Sequence, residues 1–252
     1  MPEREILDCD VLIVGAGPGG LSCAISLHDQ LTRRGALNPD KAVKPSIYVI
    51  EKGVNTGAHI LSGAVLDTRA LDELIPEWRH KGAPVTQKVT AEEIVMLTER
   101  RAIPVPGPLV PPYLHNAGNY IVSLGELTAW LAEQARARGI EILEGVAGAE
   151  LVTFGRTVLG VRCGDTGIGK DGKPRSTFQA GAEIHAKVTV LSEGVRGSLT
   201  KELIRLQALD NDRHPQTYAL GIKEIWELPA GTFPAGKVVH TLGYPLQSVS
   251  MG

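Results

Sequence analysis

The sequence predicts an α/β fold, and three observations near the N-terminus support this. Residues 10–14 are an apolar run of strand length, and the segment Gly15-Ala-Gly-Pro-Gly-Gly20 follows directly. Apolar residues then recur at helical spacing up to Leu31, and residues 47–50 form a second apolar run that ends at Glu51. This order of strand, glycine-rich turn, helix, strand and acid predicts a Rossmann-like βαβ unit.

The rest of the chain resumes the α/β alternation after a long insertion. The first helix is predicted to end near Gly35, and a glycine-containing apolar stretch leads into a short helix before Trp78. Prolines concentrated between Pro104 and Pro112 predict a rigid irregular loop, because proline removes backbone donors. Ser123 and Glu126 match the S-x-x-E pattern of a helix start. The later predicted elements are a helix at 123–138, a strand at 140–143, antiparallel strands near Leu151 and Val158, a turn at 170–173, a strand at 184–191, a helix at 198–206 and short strands within 217–252.

Composition indicates an ordinary globular chain of one large domain or two intimate ones, given its 252 residues. The net charge of −2 gives no indication of a nucleic-acid partner. Cys9, Cys23 and Cys163 are scattered, so we expect structural thiols and neither a disulfide framework nor a four-cysteine cluster site in this chain. No targeting presequence and no apolar run of the ~20 residues that span a bilayer is visible. We expect a chain that is neither secreted nor membrane-spanning, although a membrane surface is compatible with it.

Each residue of the βαβ motif has a physical task. Gly15 allows a tight turn, Gly17 lets the backbone approach a pyrophosphate, and Gly20 lets the helix pack close to the strand. The helix start offers free N–H groups and the positive end of the helix dipole to phosphates. Glu51 can accept hydrogen bonds from ribose hydroxyls. A polar loop between the helix and the second strand places Glu51 31 residues after Gly20, and surface loops tolerate such added length.

The dinucleotide is predicted to be FAD. The carboxylate of Glu51 would repel a 2′-phosphate, which disfavours NADP and leaves NAD and FAD. A capped helix and strand placed after a long insertion are typical of split flavoprotein domains. In addition, the strand that ends in Ser192-Glu-Gly194 resembles the second cofactor-contacting segment of that fold. These two features together favour FAD over NAD.

Several longer segments outside the βαβ unit are distinctive. They are Gly57-Ala-His-Ile-Leu-Ser-Gly-Ala-Val-Leu-Asp67, Lys81-Gly-Ala-Pro84, Gly118-Asn-Tyr-Ile-Val122, Asp165-Thr-Gly-Ile-Gly-Lys-Asp-Gly172, His185-Ala-Lys-Val-Thr189, Pro215-Gln-Thr-Tyr218 and His240-Thr-Leu-Gly-Tyr-Pro245. Together they resemble the electron-transfer flavoprotein–ubiquinone oxidoreductases. The resemblance runs from about Cys9 to Gly252, which is nearly the whole chain.

The resemblance implies an enzyme that lies on one side of a membrane and has three interlocked parts: an FAD domain, a quinone-binding domain and a [4Fe–4S] domain. Such enzymes pass electrons from reduced electron-transfer flavoprotein to ubiquinone, and the flavin carries the chemistry. The implied location is the inner membrane, either on the cytoplasmic face of a bacterium or in a mitochondrion. Family chains are longer, so we expect an N-terminal fragment. The cluster cysteines and the last FAD-contacting segment are expected in the missing part.

The resemblance also implies roles for ranges and residues. Residues 1–84 are expected to begin the FAD-binding domain, 85–117 to be an inserted segment of the second lobe, 118–205 to complete the FAD-binding domain, and 206–252 to begin the quinone-binding lobe. The expected cofactor-binding residues are Gly15, Ala16, Gly17, Pro18, Gly19, Gly20, Leu21, Glu51, Lys52, Gly57, His59, Gly63, Glu193 and Gly194. Gly252 is expected beside ubiquinone, and His59 is a candidate proton donor to the quinone, although a backbone hydrogen-bonding role is the commoner one for such a histidine.

A membrane contact is expected within residues 56–77. Acids and bases nearly balance between Asp67 and Lys81, so insertion would depend on burial of apolar side chains rather than on attraction to anionic lipid. An ordinary core-facing helix is the alternative for this stretch. The expected contact residues are Ile60, Leu61, Val65, Leu66, Leu71, Leu74 and Ile75.

Two other functions remain open. One is a geranylgeranyl-reductase-like or hydroxylase-like flavoenzyme without a cluster, and downstream sequence with or without four cysteines would discriminate it. The other is a non-catalytic fragment that holds no flavin because part of the site is missing.

Overall fold

In a computed structural model of the protein, residues 3–61 and 63–245 are described, and they form fourteen β-strands and four α-helices. The strands are β1 (Ile6–Val14), β2 (Ile47–Glu51), β3 (Ala64–Leu66), β4 (Gln87–Lys88), β5 (Ala91–Leu97), β6 (Ala102–Pro104), β7 (Tyr120–Val122), β8 (Glu141–Glu144), β9 (Gly148–Phe154), β10 (Thr157–Cys163), β11 (Thr166–Ile168), β12 (Pro174–Gln179), β13 (Glu183–Leu191) and β14 (Lys237–Gly243). The α-helices are α1 (Pro18–Leu37), α2 (Arg69–Leu74), α3 (Leu124–Arg136) and α4 (Ser198–Gln207), and 3₁₀ turns lie at Pro39–Lys41, Gly107–Leu109 and Pro112–Leu114.

The chain divides into two compact units, each built from two stretches. The first unit is Met1–Ile60 with Gly125–Gln216, and the second is Leu61–Leu124 with Thr217–Gly252. The boundaries between the compact units therefore lie after residues 60, 124 and 216. The domain boundaries expected from the sequence lie after residues 84, 117 and 205.

The first unit contains a six-stranded sheet in the order β8-β2-β1-β13-β10-β9. The four strands from β8 to β13 pair in parallel, and β10 and β9 continue the sheet in antiparallel pairing. Leu12 and Ile13 of β1 and Ile184 of β13 are fully buried. Such continuous apolar runs are typical of strands covered on both faces, which confirms the buried β1 that the sequence predicts.

Helix α1 ends later than the sequence predicts. It continues through Gly35 to Leu37, and the N–H of Asn38 still donates to the carbonyl of Arg34 at 3.0 Å. A glycine inside a helix costs only about 1 kcal/mol, so it does not force an end. Pro39 follows Asn38, and a proline disfavours the helical conformation of the residue before it. The proline therefore marks the end of α1, and the prediction of an end at Gly35 was wrong.

The second unit contains two small sheets, in the orders β14-β5-β6 and β3-β7-β4. Strand β14 is parallel to β5, and Pro104 ends the edge strand β6, where a missing N–H is tolerated. Among the described residues of 217–252, β14 is the one strand, so the short strands predicted elsewhere in this stretch are absent from residues 217–236. Leu220 and Ile222 are 95% and 86% exposed there. Strand-like alternation forms a strand only when a neighbouring strand pairs with it.

Two of the residues expected to contact a membrane are core residues. Leu71 is 6% exposed and Ile75 is 1% exposed. Close to them in the sequence, the buried Trp78 donates its backbone N–H to the carbonyl oxygen of Ile75 at 2.9 Å and its Nε1–H to Asp72 Oδ1 at 2.7 Å. Their assignment to a membrane surface was therefore wrong, because the second unit already buries these side chains. Leu61 and Val65 are exposed, whereas Ile60, Leu66 and Leu74 are half-buried.

Candidate functional site

A cleft of about 820 Å³ lies in the first unit, where the carboxyl ends of its parallel strands meet. The ends of β1, β2 and β13 line it through Val14, Glu51 and Leu191. The chain passes from β1 through α1 to β2 on one side, and β13 lies on the other side of β1. This is a topological switch point, at which open α/β sheets bind their ligands. The volume is within the usual range for small-molecule sites, roughly 300–1,000 Å³.

Gly15 lets three strand ends converge on the cleft. Its φ is +105°, and its N–H donates to the carbonyl of Ile50 at 2.9 Å. A Cβ at this position would lie 2.4 Å from the carbonyl oxygen of Ser192. Only glycine combines this φ with so close an approach, so the end of β1 fits between β2 and β13.

The first turn of α1 leaves its N–H groups free for a ligand. Gly17 is the N-cap and Pro18 the first helical residue, and the described residues provide neither a side-chain cap nor an acid in this turn. A Cβ on Gly17 would meet nothing closer than Ile60 Cδ1, at 3.9 Å. An anion can therefore approach the backbone here, where the helix dipole favours negative charge.

Glu51 lies half-buried at the cleft and holds the glycine-rich turn in place. Its Oε2 accepts the N–H of Ala16 at 3.1 Å, and its Oε1 accepts the N–H of Gly53 at 2.8 Å. The contact with Ala16 was not anticipated from the sequence. A carboxylate offers about four lone-pair sites, so both oxygens keep capacity for ribose hydroxyls.

The loop from Gly53 to Ile60 forms another wall of the cleft, and Glu144 anchors it. Glu144 Oε1 accepts both the N–H and the hydroxyl of Thr56, each at 2.6 Å, and pairs with Arg136 Nη2 at 3.0 Å. Gly57 packs so closely on α3 that a Cβ would lie 2.5 Å from the carbonyl oxygen of Gly125. These contacts place Gly57, His59 and Ile60 on the cleft.

Acid should release this loop. The hydrogen bonds from Thr56, together with Arg136, hold the pKa of Glu144 below its usual 4.5. Because the folded pKa is the lower one, the stabilisation is complete above about pH 4.5 and is lost as pH falls through the folded value. Glu144→Gln should speed hydrogen exchange of the loop amides at pH 7, for a loss of about 1 kcal/mol, and flatten the pH dependence. Glu141→Gln, on the same strand but exposed, should match the parent; equal protection in both variants would contradict the assignment.

The cleft brings together most of the residues predicted to bind the cofactor, and its remaining lining includes residues near the starts of β9 and α4. The predicted residues that line it are Gly15, Ala16, Gly17, Pro18, Gly19, Glu51, Lys52, Gly57, His59, Glu193 and Gly194. Ser192 lies in the segment predicted to contact the cofactor, although it was not named as a binding residue. Sequence reasoning missed Val146, Ala147, Gly148, Arg196, Ser198 and Thr200, which also line the cleft. One feature of the sequence could have indicated two of these cleft residues: Ser192 and Arg196 come soon after strand β13.

Several predicted cofactor residues have other roles. Leu21 belongs to α1, where its side chain is fully buried and its N–H donates to the carbonyl oxygen of Gly17 at 3.0 Å. It is not among the residues that line the cleft, and its role in cofactor binding stays a prediction. Gly63 is not among the residues that line the cleft and belongs to the second unit, where its carbonyl accepts Lys223 Nζ. Gly20 packs the helix on the strand. Gly252 lies outside the described residues.

The carboxylate of Glu193 caps the N-terminus of α4, although the residue also lines the cleft. Its Oε1 accepts the N–H of Leu199 at 3.1 Å, and its Oε2 accepts the N–H and hydroxyl of Thr200 at 2.7 and 2.8 Å. These bonds satisfy free N–H groups at the start of α4. Because its side chain is used in this way, Glu193 would contact a ligand mainly through its backbone.

Cys9 and Cys163 are free and buried, and burial raises the pKa of each to about 11. Cys23 is free and half-buried on α1. Over residues 3–61 and 63–245, no group of three or more His, Cys, Asp or Glu side chains could hold a metal ion. In the same residues, no helix has the length and apolar character to cross a membrane.

The groups that line the cleft together fit the adenosine diphosphate half of a dinucleotide. The uncapped turn of α1 supplies N–H donors for phosphates, the open backbone at Gly17 permits close approach, and Glu51 supplies acceptors for ribose hydroxyls.

Comparisons with known proteins show which proteins this chain is similar to. The family model described as "ETF-QO, ubiquinone-binding" matches residues 218–252. The "Electron transfer flavoprotein-ubiquinone oxidoreductase, mitochondrial" of Dictyostelium discoideum is 45% identical over 254 residues, covering 100% of this chain and 40% of that protein. The corresponding protein of Caenorhabditis elegans is 48% identical over 246 residues, covering 96% and 39%.

A bacterial protein is similar to the chain in sequence, and a solved structure is similar to it in fold. The "Electron transfer flavoprotein-ubiquinone oxidoreductase" of Pseudomonas aeruginosa is 44% identical over 253 residues, covering 99% of this chain and 45% of that protein. Among solved structures, a geranylgeranyl bacteriochlorophyll reductase-like protein of Thermoplasma acidophilum matches with a TM-score of 0.51 at 16% identity, over 80% of this chain and 42% of that chain.

The solved structure supports the fold and the sequence relatives support the family. The predicted mixed α/β, Rossmann-like fold is confirmed. The chain spans roughly two fifths of the length of the curated relatives it matches. Along its whole length, at 44–48% identity, the chain is similar to electron transfer flavoprotein-ubiquinone oxidoreductases.

Proposed function

We propose that this chain is the FAD-binding part, with the beginning of the quinone-binding part, of an enzyme that passes electrons from reduced electron-transfer flavoprotein to ubiquinone. The names of the relatives support this reaction, and the ubiquinone-binding family match at residues 218–252 supports a quinone role for the second unit. The cleft in the first unit supports the flavin role.

The observation that carries the proposal is the uncapped start of α1 opposite Glu51 in a cleft of about 820 Å³. In the proposal, the N–H groups after Gly17 hold the pyrophosphate and the carboxylate of Glu51 holds the adenosine ribose. When bound, FAD supplies the electron-carrying chemistry, and the chain supplies binding, orientation and electrostatics. Loop 53–60, anchored by Glu144, forms one wall of the cleft.

The iron–sulfur chemistry of the proposed reaction is assigned to residues outside this chain. A [4Fe–4S] cluster needs cysteine thiolates, and two of the three cysteines here are buried with raised pKa values. Ligands for such a cluster would therefore come from outside this chain. His59 is exposed at the cleft, and we keep it as a candidate proton donor to the quinone.

Membrane association is proposed as peripheral. Leu61 is 62% exposed and Val65 is 37% exposed, and both belong to the second unit. Exposed apolar side chains can enter the headgroup boundary of a bilayer without crossing it. Leu66, Leu74 and Ile60 are half-buried and would contribute less.

Titration of FAD into the purified 252-residue chain tests the flavin role. We expect saturable binding in the micromolar range, with quenching of flavin fluorescence. ADP should compete, because the proposed contacts lie on the adenosine diphosphate half, and riboflavin should bind much more weakly. A chain that is folded by circular dichroism yet shows no saturable FAD binding would support the non-catalytic-fragment alternative and overturn the proposal.

A further inference from the structure

Ser192 lies at the junction between β13 and the cleft, and its backbone is fixed on β1. Its N–H donates to the carbonyl of Val14 at 2.8 Å. Its carbonyl oxygen occupies the space that a side chain on Gly15 would need, at 2.4 Å from the Cβ position. The residue therefore has little freedom to move relative to the glycine-rich turn.

The hydroxyl of Ser192 points to the start of α1. Its Oγ lies 3.3 Å from the position that a Cβ on Gly19 would occupy, and both residues line the cleft. Gly19 belongs to the first turn of α1, whose N–H groups have no side-chain cap. The hydroxyl and these N–H groups thus face the same small volume.

This hydroxyl has no structural hydrogen bond to explain it. Within residues 3–61 and 63–245 it has no hydrogen-bond partner, although the side chain is half-buried. The adjacent Glu193 does have a structural explanation, since its carboxylate caps α4. A half-buried hydroxyl without a protein partner is a donor available to a ligand, because leaving such a group unpaired in a filled site costs free energy.

We propose that the Ser192 hydroxyl donates a hydrogen bond to a phosphate oxygen of the dinucleotide held at the start of α1. This rests on the proposed flavin role and adds a donor from β13 to the donors from α1. The pyrophosphate would then be held by both strands that flank the switch point, β1 through its turn and β13 through this side chain. Hydrogen bonds to a charged acceptor are the stronger kind.

The test compares Ser192→Ala with the parent in FAD titrations followed by flavin fluorescence. We expect the dissociation constants of FAD and of competing ADP to rise roughly tenfold, with riboflavin binding unchanged. Ser192→Cys should behave similarly, because a thiol is a weak donor of nearly the same size. Ser26→Ala, on α1 beyond the cleft, is the matched control and should bind FAD as the parent does.

The outcomes separate this inference from the proposed function. A folded parent that binds no FAD refutes the flavin role itself. A parent that binds FAD, with Ser192→Ala or a folded Ser192→Cys binding equally well, overturns the role of the hydroxyl and leaves the flavin role standing. An equal loss for riboflavin and FAD would also overturn it, because riboflavin has no phosphate.

Discussion

Gly20→Ala is expected to destabilise the first unit by about 3 kcal/mol or more, the upper range for overpacking a core. A Cβ on Gly20 would lie 2.0 Å from the carbonyl oxygen of Gly15 and 3.3 Å from Ile13 Cγ2. The first contact is with backbone, so relief requires α1 to move away from β1. That shift would also displace the turn that lines the cleft, and FAD binding should be lost with it.

Urea unfolding followed by far-ultraviolet circular dichroism measures the expected loss as a lower midpoint. Gly107→Ala is the control, since a Cβ there meets nothing within 4 Å. It should leave stability within about 0.5 kcal/mol of the parent, as for a surface substitution. If Gly20→Ala has the same urea midpoint of unfolding as the parent, α1 does not pack closely on β1.

Glu51→Ala is expected to weaken FAD binding roughly a hundredfold, because hydrogen bonds that involve a charged group contribute about 1.5–3 kcal/mol each. The substitution removes the acceptor proposed for the ribose. It also removes the acceptor of the Ala16 and Gly53 N–H groups, so the turn and the loop lose their common anchor. The adenosine half of the cofactor should lose more affinity than the flavin half.

Fluorescence titrations with FAD, ADP and riboflavin measure this difference. Glu51→Gln keeps one acceptor oxygen and should fall between the parent and Glu51→Ala. Glu133→Ala, which removes an exposed carboxylate from α3, should bind FAD as the parent does. Unchanged FAD affinity in a folded Glu51→Ala variant would show that the carboxylate serves the glycine-rich turn alone.

The sequence predicted the βαβ unit well because its signals are local. The strand, the glycine pattern and the helix lie within one continuous stretch, and the close approach of Gly20 to Gly15 and Ile13 lies within that stretch. Glu51 could be placed because it ends the next strand. The hairpin around residues 170–173, between β11 and β12, was predicted correctly for the same reason.

Predictions failed where burial or pairing depended on distant residues. Leu71 and Ile75 have an amphipathic pattern that suits either a membrane or a core, and only the packing around Trp78 decides between them. The alternation after residue 217 suggests strands, but no partner strand pairs with residues 217–236 in the described chain. Glu193 could not be recognised as a cap, because its role depends on where α4 begins.

The sequence alone determined the type of ligand site: a glycine-rich turn at a helix start with an acid on the next strand, as dinucleotides require. The tertiary structure decided which other residues share that site. It placed β13 beside β1, although the two are far apart in the chain, and so brought Ser192 to the first turn of α1. The physical reason is that turn chemistry depends on adjacent residues, whereas strand order is set by burial of the whole sheet.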